Sequence, residues 1–224
     1  MLQVVEVVSL TITQISGIVH NIIMIPSGGR TVKKAKIATI EEVKLIAETL
    51  DAESMKRGNE VFADVADVWR LGFYTARRVS DIIGMKWEDI KEGIWTLTEQ
   101  KGGKVVRLQL PEKVLELLDK RKGCSDVWVF PSRKYKNKHI SRQAVESALL
   151  RVREILTARG ELSEGCYSMH STRKASATVV YHSTGDAIQT MKFLNHTKLE
   201  TTLHYIEPDD GEDDALTILD GVSL

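Results

Sequence analysis

Cysteine is nearly absent from this chain. Its 224 residues hold two, Cys124 and Cys166, and they lack the Cys-x-x-Cys spacing of a zinc ligand pair. A reduced, cytosolic compartment is the expectation. Net charge is absent too, because 31 Lys and Arg balance 31 Asp and Glu. The balance conceals an uneven distribution. Seven acids lie in 207–224 with no Lys or Arg, and without them the rest of the chain carries +7. Charge is missing altogether from Val7–Ile25. About 20 apolar residues can span a bilayer, but Ser9, Thr11, Thr13, Gln14, Ser16, His20 and Asn21 interrupt this run. No basic residues open it as a signal peptide requires. An appended strand or helix is expected there, and no membrane role.

The composition is otherwise that of a soluble domain with one sizeable core, 42% hydrophobic and 28% charged. Pro26-Ser27-Gly28-Gly29 breaks the chain, and Arg30, Lys33, Lys34 and Lys36 follow as a basic linker. The main domain is expected over 38–206. Thr39 with Glu42 predicts a helix start, with helices over 41–50 and roughly 53–71, then a short one through Met85. Ile94–Thr98 and Val105–Leu110 read as strands joined at Gly102-Gly103, and Trp128–Phe130 as another short strand. Further helices are predicted over Pro111–Arg121, Ser141–Arg159, 171–182, 185–193 and 198–205. The fold class is mainly α with a small antiparallel β-sheet. Within 133–153, seven bases face one acid, Glu146. This is either a phosphate-contacting surface or a solvated face.

Residues 170–205 carry the chemistry. His170 and Arg173 are followed by Leu194-Asn195-His196, Thr201-Thr202 and Tyr205, with Arg78 and Lys101 upstream. A tyrosine can attack phosphorus, arginines can hold the phosphate charge, and histidines can move protons. Lys101, on a flexible hairpin, can protonate the leaving oxygen. No carboxylate cluster accompanies the histidines, which disfavours a metal-dependent nuclease. Each residue also has an ordinary structural reading. A lone Tyr is usually packing, a lone His-x-x-Arg a helix face, and a Lys beside Gly-Gly a turn. Their joint order carries the argument.

In that order the chain resembles the catalytic domain of the tyrosine recombinases of the phage integrase family. The first family motif, Thr-Gly-x-Arg-x-x-Glu, corresponds to Thr75-Ala76-Arg77-Arg78-Val79-Ser80-Asp81. His-x-x-Arg corresponds to His170 and Arg173, Leu-Gly-His to Leu194-Asn195-His196, and Thr-Thr-x-x-Tyr to Thr201 through Tyr205. The hairpin lysine matches Lys101, with Lys104 as fallback. The resemblance implies catalytic Arg78, Lys101, His170, Arg173, His196 and Tyr205, with no metal and no cofactor. It implies a site-specific recombinase acting on double-stranded DNA through a 3′-phosphotyrosyl intermediate, as a homo-tetramer on DNA, in the cytoplasm with the nucleoid. A topoisomerase of type IB and an inactive DNA-binding regulator remain alternatives.

Departures from the family pattern also set expectations. Ala76 and Asn195 replace glycines, so a positive φ at 76 would be strained. Asp81 replaces the Glu that would orient an arginine. Residues 1–37 are expected to be a remnant or truncated core-binding region with its linker. Residues 207–224 have apolar residues at helical spacing, and are expected either to dock on a neighbouring protomer, as the resemblance implies, or to fold back on their own domain.

Overall fold

The computed structural model describes residues 35–163 and 165–206. The expectations for the apolar N-terminal run and the acidic tail lie outside these residues. The observed fold is mainly helical with one small sheet, as the sequence predicts.

Helix α1 spans Ile40–Arg57. Thr39 and Glu42 cap its start reciprocally, at 3.0 and 3.1 Å. It continues seven residues beyond the expected end at residue 50. Asp51 does not break it, because that carboxylate pairs with Arg70 on the next helix. The break falls at Gly58, which takes the left-handed conformation that closes a helix (φ 55°). Helix α2 (Glu60–Thr75) then starts at Asn59, whose side chain accepts from the Val61 amide.

After the short α3 (Val79–Ile83), β1 (Ile90–Lys91), β2 (Ile94–Thr98) and β3 (Val105–Gln109) form an antiparallel sheet in that order. β1 is two residues long, too short to show an alternating pattern. Trp95 opposes Leu108 and Leu97 opposes Val106, so one sheet face packs on the core. Trp128–Phe130 is not a strand. It makes one isolated bridge, Lys86 to Trp128. Arg121 holds this stretch, donating to the Val129 carbonyl at 3.0 Å and pairing with Asp64 and Asp67 of α2.

The remaining helices are α4 (Glu112–Arg121), α5 (Arg142–Ala158), α6 (Met169–Thr184), α7 (Ala187–Phe193) and α8 (Leu199–Ile206). Trp69 sits at the centre of the main core and donates to the Val43 carbonyl at 2.9 Å. A second, smaller cluster of Ala76, Ala177, Leu194 and Ile206 gathers where α2, α6 and α8 meet. Among the described residues no helix is long and apolar enough to cross a membrane.

The approach of α2 to α6 is set by Gly72. A Cβ there would stand 2.7 Å from Thr172 Oγ1 and from the Met169 terminal methyl. Met169 can swing away. Thr172 is fully buried and bonded to the Met169 carbonyl at 2.9 Å, so it cannot. Gly72→Ala is therefore expected to lower stability by about 1–3 kcal/mol through overpacking. Urea unfolding checks this, and an unchanged midpoint would contradict the close approach.

Candidate active site

The end of α2 supplies two adjacent arginines. The chain turns at Ala76, in the left-handed conformation (φ 49°, ψ 27°). An alanine there costs about 1–2 kcal/mol relative to a right-handed conformation. The strain anticipated from the missing glycine is present, and the surrounding contacts hold it. The Ala76 carbonyl accepts from Arg173. Arg77 donates to the Thr75 carbonyl at 2.9 Å and to the Phe193 carbonyl. The other glycine replacement, Asn195, also has positive φ (54°). Asn tolerates this better than Ala, and its amide donates to Glu99 at 2.9 Å.

Glu99, at the end of β2, is the acid that organises the arginines. It is 3% exposed and lies 3.2 Å from Arg78 and 3.6 Å from Arg77. Asp81 does not take this part. Its carboxylate accepts from the Gln100 amide at 3.1 Å, which ties α3 to the hairpin. The sequence reading centred on Arg78 and passed over Arg77 and Glu99. Arg77 has no exposed side-chain surface, whereas Arg78 keeps 23%. Burial, then the neighbouring Arg173 charge, pushes the Arg77 pKa down to about 10, so it stays cationic at neutral pH.

Helix α6 begins at Ser168, whose hydroxyl accepts from the His170 amide. His170 and Arg173 are three residues apart, and so lie on one helix face. Arg173 is 1% exposed. Besides the Ala76 carbonyl, it donates to the Leu194 carbonyl at 2.7 Å and to His196 Nε2 at 3.0 Å. A guanidinium cannot accept a hydrogen bond. Nε2 must therefore carry the lone pair, and Nδ1–H donates to Thr202 Oγ1 at 3.1 Å. The second threonine of the Thr-Thr pair thus fixes the His196 tautomer.

Tyr205 on α8 completes the group. Its ring lies edge-on to His196 with centroids 5.1 Å apart. The Arg173 guanidinium is 5.9 Å from the ring centroid. The Thr178 hydroxyl on α6 donates to the Tyr205 carbonyl at 3.2 Å. Arg77, Arg78, His170 and Arg173 line one groove with α5, and His170 and Tyr205 line a second cleft. Five of the six candidate residues are thereby connected. Lys101 stands apart, exposed at the β2–β3 turn. Glu99 anchors that hairpin two residues away, within about 7 Å along the backbone.

Cations outnumber acids here, and the histidines register it. Burial, then Arg173, Arg78 and Arg77, lowers the His196 pKa to about 4. His170 is also lowered, by burial and then by Arg173, Arg142, Arg78 and Lys174. Both imidazoles are neutral at pH 7. Among the described residues no group of three or more His, Cys, Asp or Glu could hold a metal ion.

The basic stretch at 133–153 is less basic than its sequence. Arg133 pairs with Glu60 and Asp64, Arg142 with Glu146, and Arg151 with Glu154. These acids come mostly from outside the window. Lys134, Lys136, Lys138 and Arg153 carry no acid partner among the described residues.

Protonation of His196 is linked to folding. Its pKa is near 6.5 in an unfolded chain and about 4 when folded. Between these values the unfolded chain binds more protons, so its contribution to stability is present above pH 6.5 and is lost as pH falls toward 4. His196→Gln is expected to flatten, in part, the decline of stability over that range. An unchanged pH dependence in urea unfolding would contradict the field assigned to the arginines.

The Phage integrase family matches residues 39–212. The fold is similar to that of XerH site-specific recombinase bound to a palindromic difH substrate, with a TM-score of 0.64 and 20% identity over 86% of this chain and 55% of that one. A lambda integrase dimer bound to a COC′ core site gives a TM-score of 0.63 and 20% identity over 84% and 52%. XerA recombinase gives 0.61 and 16% over 89% and 68%. The chain thus spans about half the length of the XerH and lambda integrase chains. No curated protein sequence matches it. On the family match, which covers most of its length, the chain belongs to the phage integrase family.

Proposed function

We propose that this chain is the catalytic part of a site-specific DNA recombinase, with its catalytic domain at 38–206, and that Tyr205 is its nucleophile. One observation carries the reading. A tyrosine ring is held against a buried arginine and a neutral histidine, in a site where two further arginines share one carboxylate.

The Tyr205 oxygen attacks a phosphodiester phosphorus, and its phenolic proton passes to a neutral imidazole, with His170 in the same cleft. Arg78 and Arg173 donate to the non-bridging oxygens as charge builds on them. His196 fixes Arg173 and the Tyr205 ring. The bond from phosphorus to the 5′ oxygen breaks, and Lys101 supplies the proton that the leaving 5′ hydroxyl needs. The strand stays joined through a 3′-phosphotyrosyl bond, which conserves the bond energy, so neither cofactor nor metal enters. Attack by another 5′ hydroxyl reverses the step and rejoins the strands.

Double-stranded DNA is the proposed substrate, and a homo-tetramer on DNA the working assembly. The likeness to DNA-bound recombinases, one of them a lambda integrase tetramer on a Holliday junction, supports both. Lys134, Lys136, Lys138 and Arg153 are the proposed phosphate contacts. Binding is expected to weaken steeply with salt, and a flat salt titration would contradict them.

The test of the chemistry uses nicked duplexes of randomised sequence, in which the short cleaved fragment diffuses away and traps the covalent adduct. Wild type is expected to give a protein–DNA adduct that survives denaturation. Tyr205→Phe should give none while still binding DNA, and Arg173→Ala should slow adduct formation by roughly 10²- to 10³-fold. An undiminished adduct with Tyr205→Phe would overturn the assignment. Relaxation of any supercoiled plasmid without sequence preference would instead indicate a type IB topoisomerase.

A further inference from the structure

Ala35 and Lys36 form a strap against Ser163, Cys166 and Tyr167, shortly before α6. Ala35 bridges Cys166, and the Lys36 amide donates to the Cys166 carbonyl at 3.0 Å. The Lys36 side chain anchors the strap. Its ammonium lies 3.7 Å from Glu42, donates to Ser163, and stands 5.6 Å from the Tyr167 ring centroid. The Tyr167 hydroxyl donates to Glu42 as well.

The strap reaches the proposed nucleophile through Lys174. The Lys174 ammonium donates to the Ala35 carbonyl at 2.8 Å. It also lies 5.9 Å from the Tyr205 ring centroid. Lys174 is 8% exposed and stands one helical turn after His170. Ala35, His170, Lys174, His204 and Tyr205 line one cleft. A cation over an aromatic face is attracted to it. The position of the Lys174 ammonium therefore bears on the orientation of the Tyr205 ring.

We propose that Lys174 is a positioning residue for Tyr205, and that the strap sets where its ammonium stands. The inference rests on the reading of Tyr205 as nucleophile. The links run from the Lys36 cluster to the Ala35 carbonyl, to the Lys174 ammonium, to the Tyr205 ring. A shift of the Ala35 carbonyl would carry the Lys174 ammonium with it.

The experiment measures single-turnover adduct formation on a duplex selected from the randomised nicked pool, with DNA binding and thermal melting measured alongside. Lys174→Met and Lys174→Gln are expected to slow the adduct about tenfold without loss of DNA binding, and Lys174→Arg to restore most of the rate. Lys36→Met, which only loosens the strap, should slow it by a smaller factor. In the Lys36→Met/Lys174→Met double variant it should add nothing, because the strap acts only through Lys174. A folded Lys174→Met protein that cleaves at the wild-type rate overturns the role of Lys174. Effects that multiply in the double variant overturn the coupling. If Lys174→Met fails to melt cooperatively, Lys174→Gln and Lys36→Met carry the test, and wild-type rates from both overturn the proposal. Wild type forming no adduct on any pool member overturns the proposed function instead.

Discussion

The buried guanidinium of Arg173 is the interaction on which the site depends. Its donors reach the Ala76 carbonyl at the end of α2, the Leu194 carbonyl after α7, and the His196 ring. Those acceptors come from separate parts of the chain, so one side chain sets the registry among them. Burying a cation is costly unless its donors are satisfied. Here neutral carbonyls and an imidazole satisfy them, which leaves the positive charge uncancelled. Arg77 and Arg78 add to it and share the carboxylate of Glu99.

That imbalance has consequences beyond the arginines. Together with burial, which is the larger cause, it keeps His196 and His170 neutral. Glu99 also accepts from the Asn195 amide at 2.9 Å. One acid must orient two arginines and a strained turn without neutralising the site. A second carboxylate would make the apo protein more comfortable and the pocket less attractive to phosphate. The left-handed Ala76 belongs to the same arrangement, since its strained turn presents the carbonyl that Arg173 needs.

The residues proposed to act on phosphorus could be named from the sequence, because that chemistry restricts them to a few types in a fixed order. Arg78, His170, Arg173, His196 and Tyr205 could be named by type and spacing. Their supporting partners could not. Glu99 ends a strand 21 residues beyond Arg78, and nothing local distinguishes it from any other acid there. Arg133 reads as free charge until folding brings Glu60 and Asp64 against it. The strands of the hairpin were visible from alternation and the Gly102-Gly103 turn. The continuation of α1 past Asp51 was not, because Arg70 on another helix takes up that side chain. Local pattern reveals elements and chemistry, while tertiary pairing decides which charges survive.

The central claim is that the cations around Tyr205 are held uncancelled to receive a phosphodiester. The most direct measurement is the His196 ring titration by NMR in the Tyr205→Phe protein, alone and with a bound DNA duplex. Without DNA the imidazole should titrate near pH 4. A phosphate seated among Arg77, Arg78 and Arg173 offsets the part of the lowering that their charge supplies, so DNA should raise the His196 pKa above its value in the DNA-free protein. A His196 titration that DNA leaves unchanged would contradict the account.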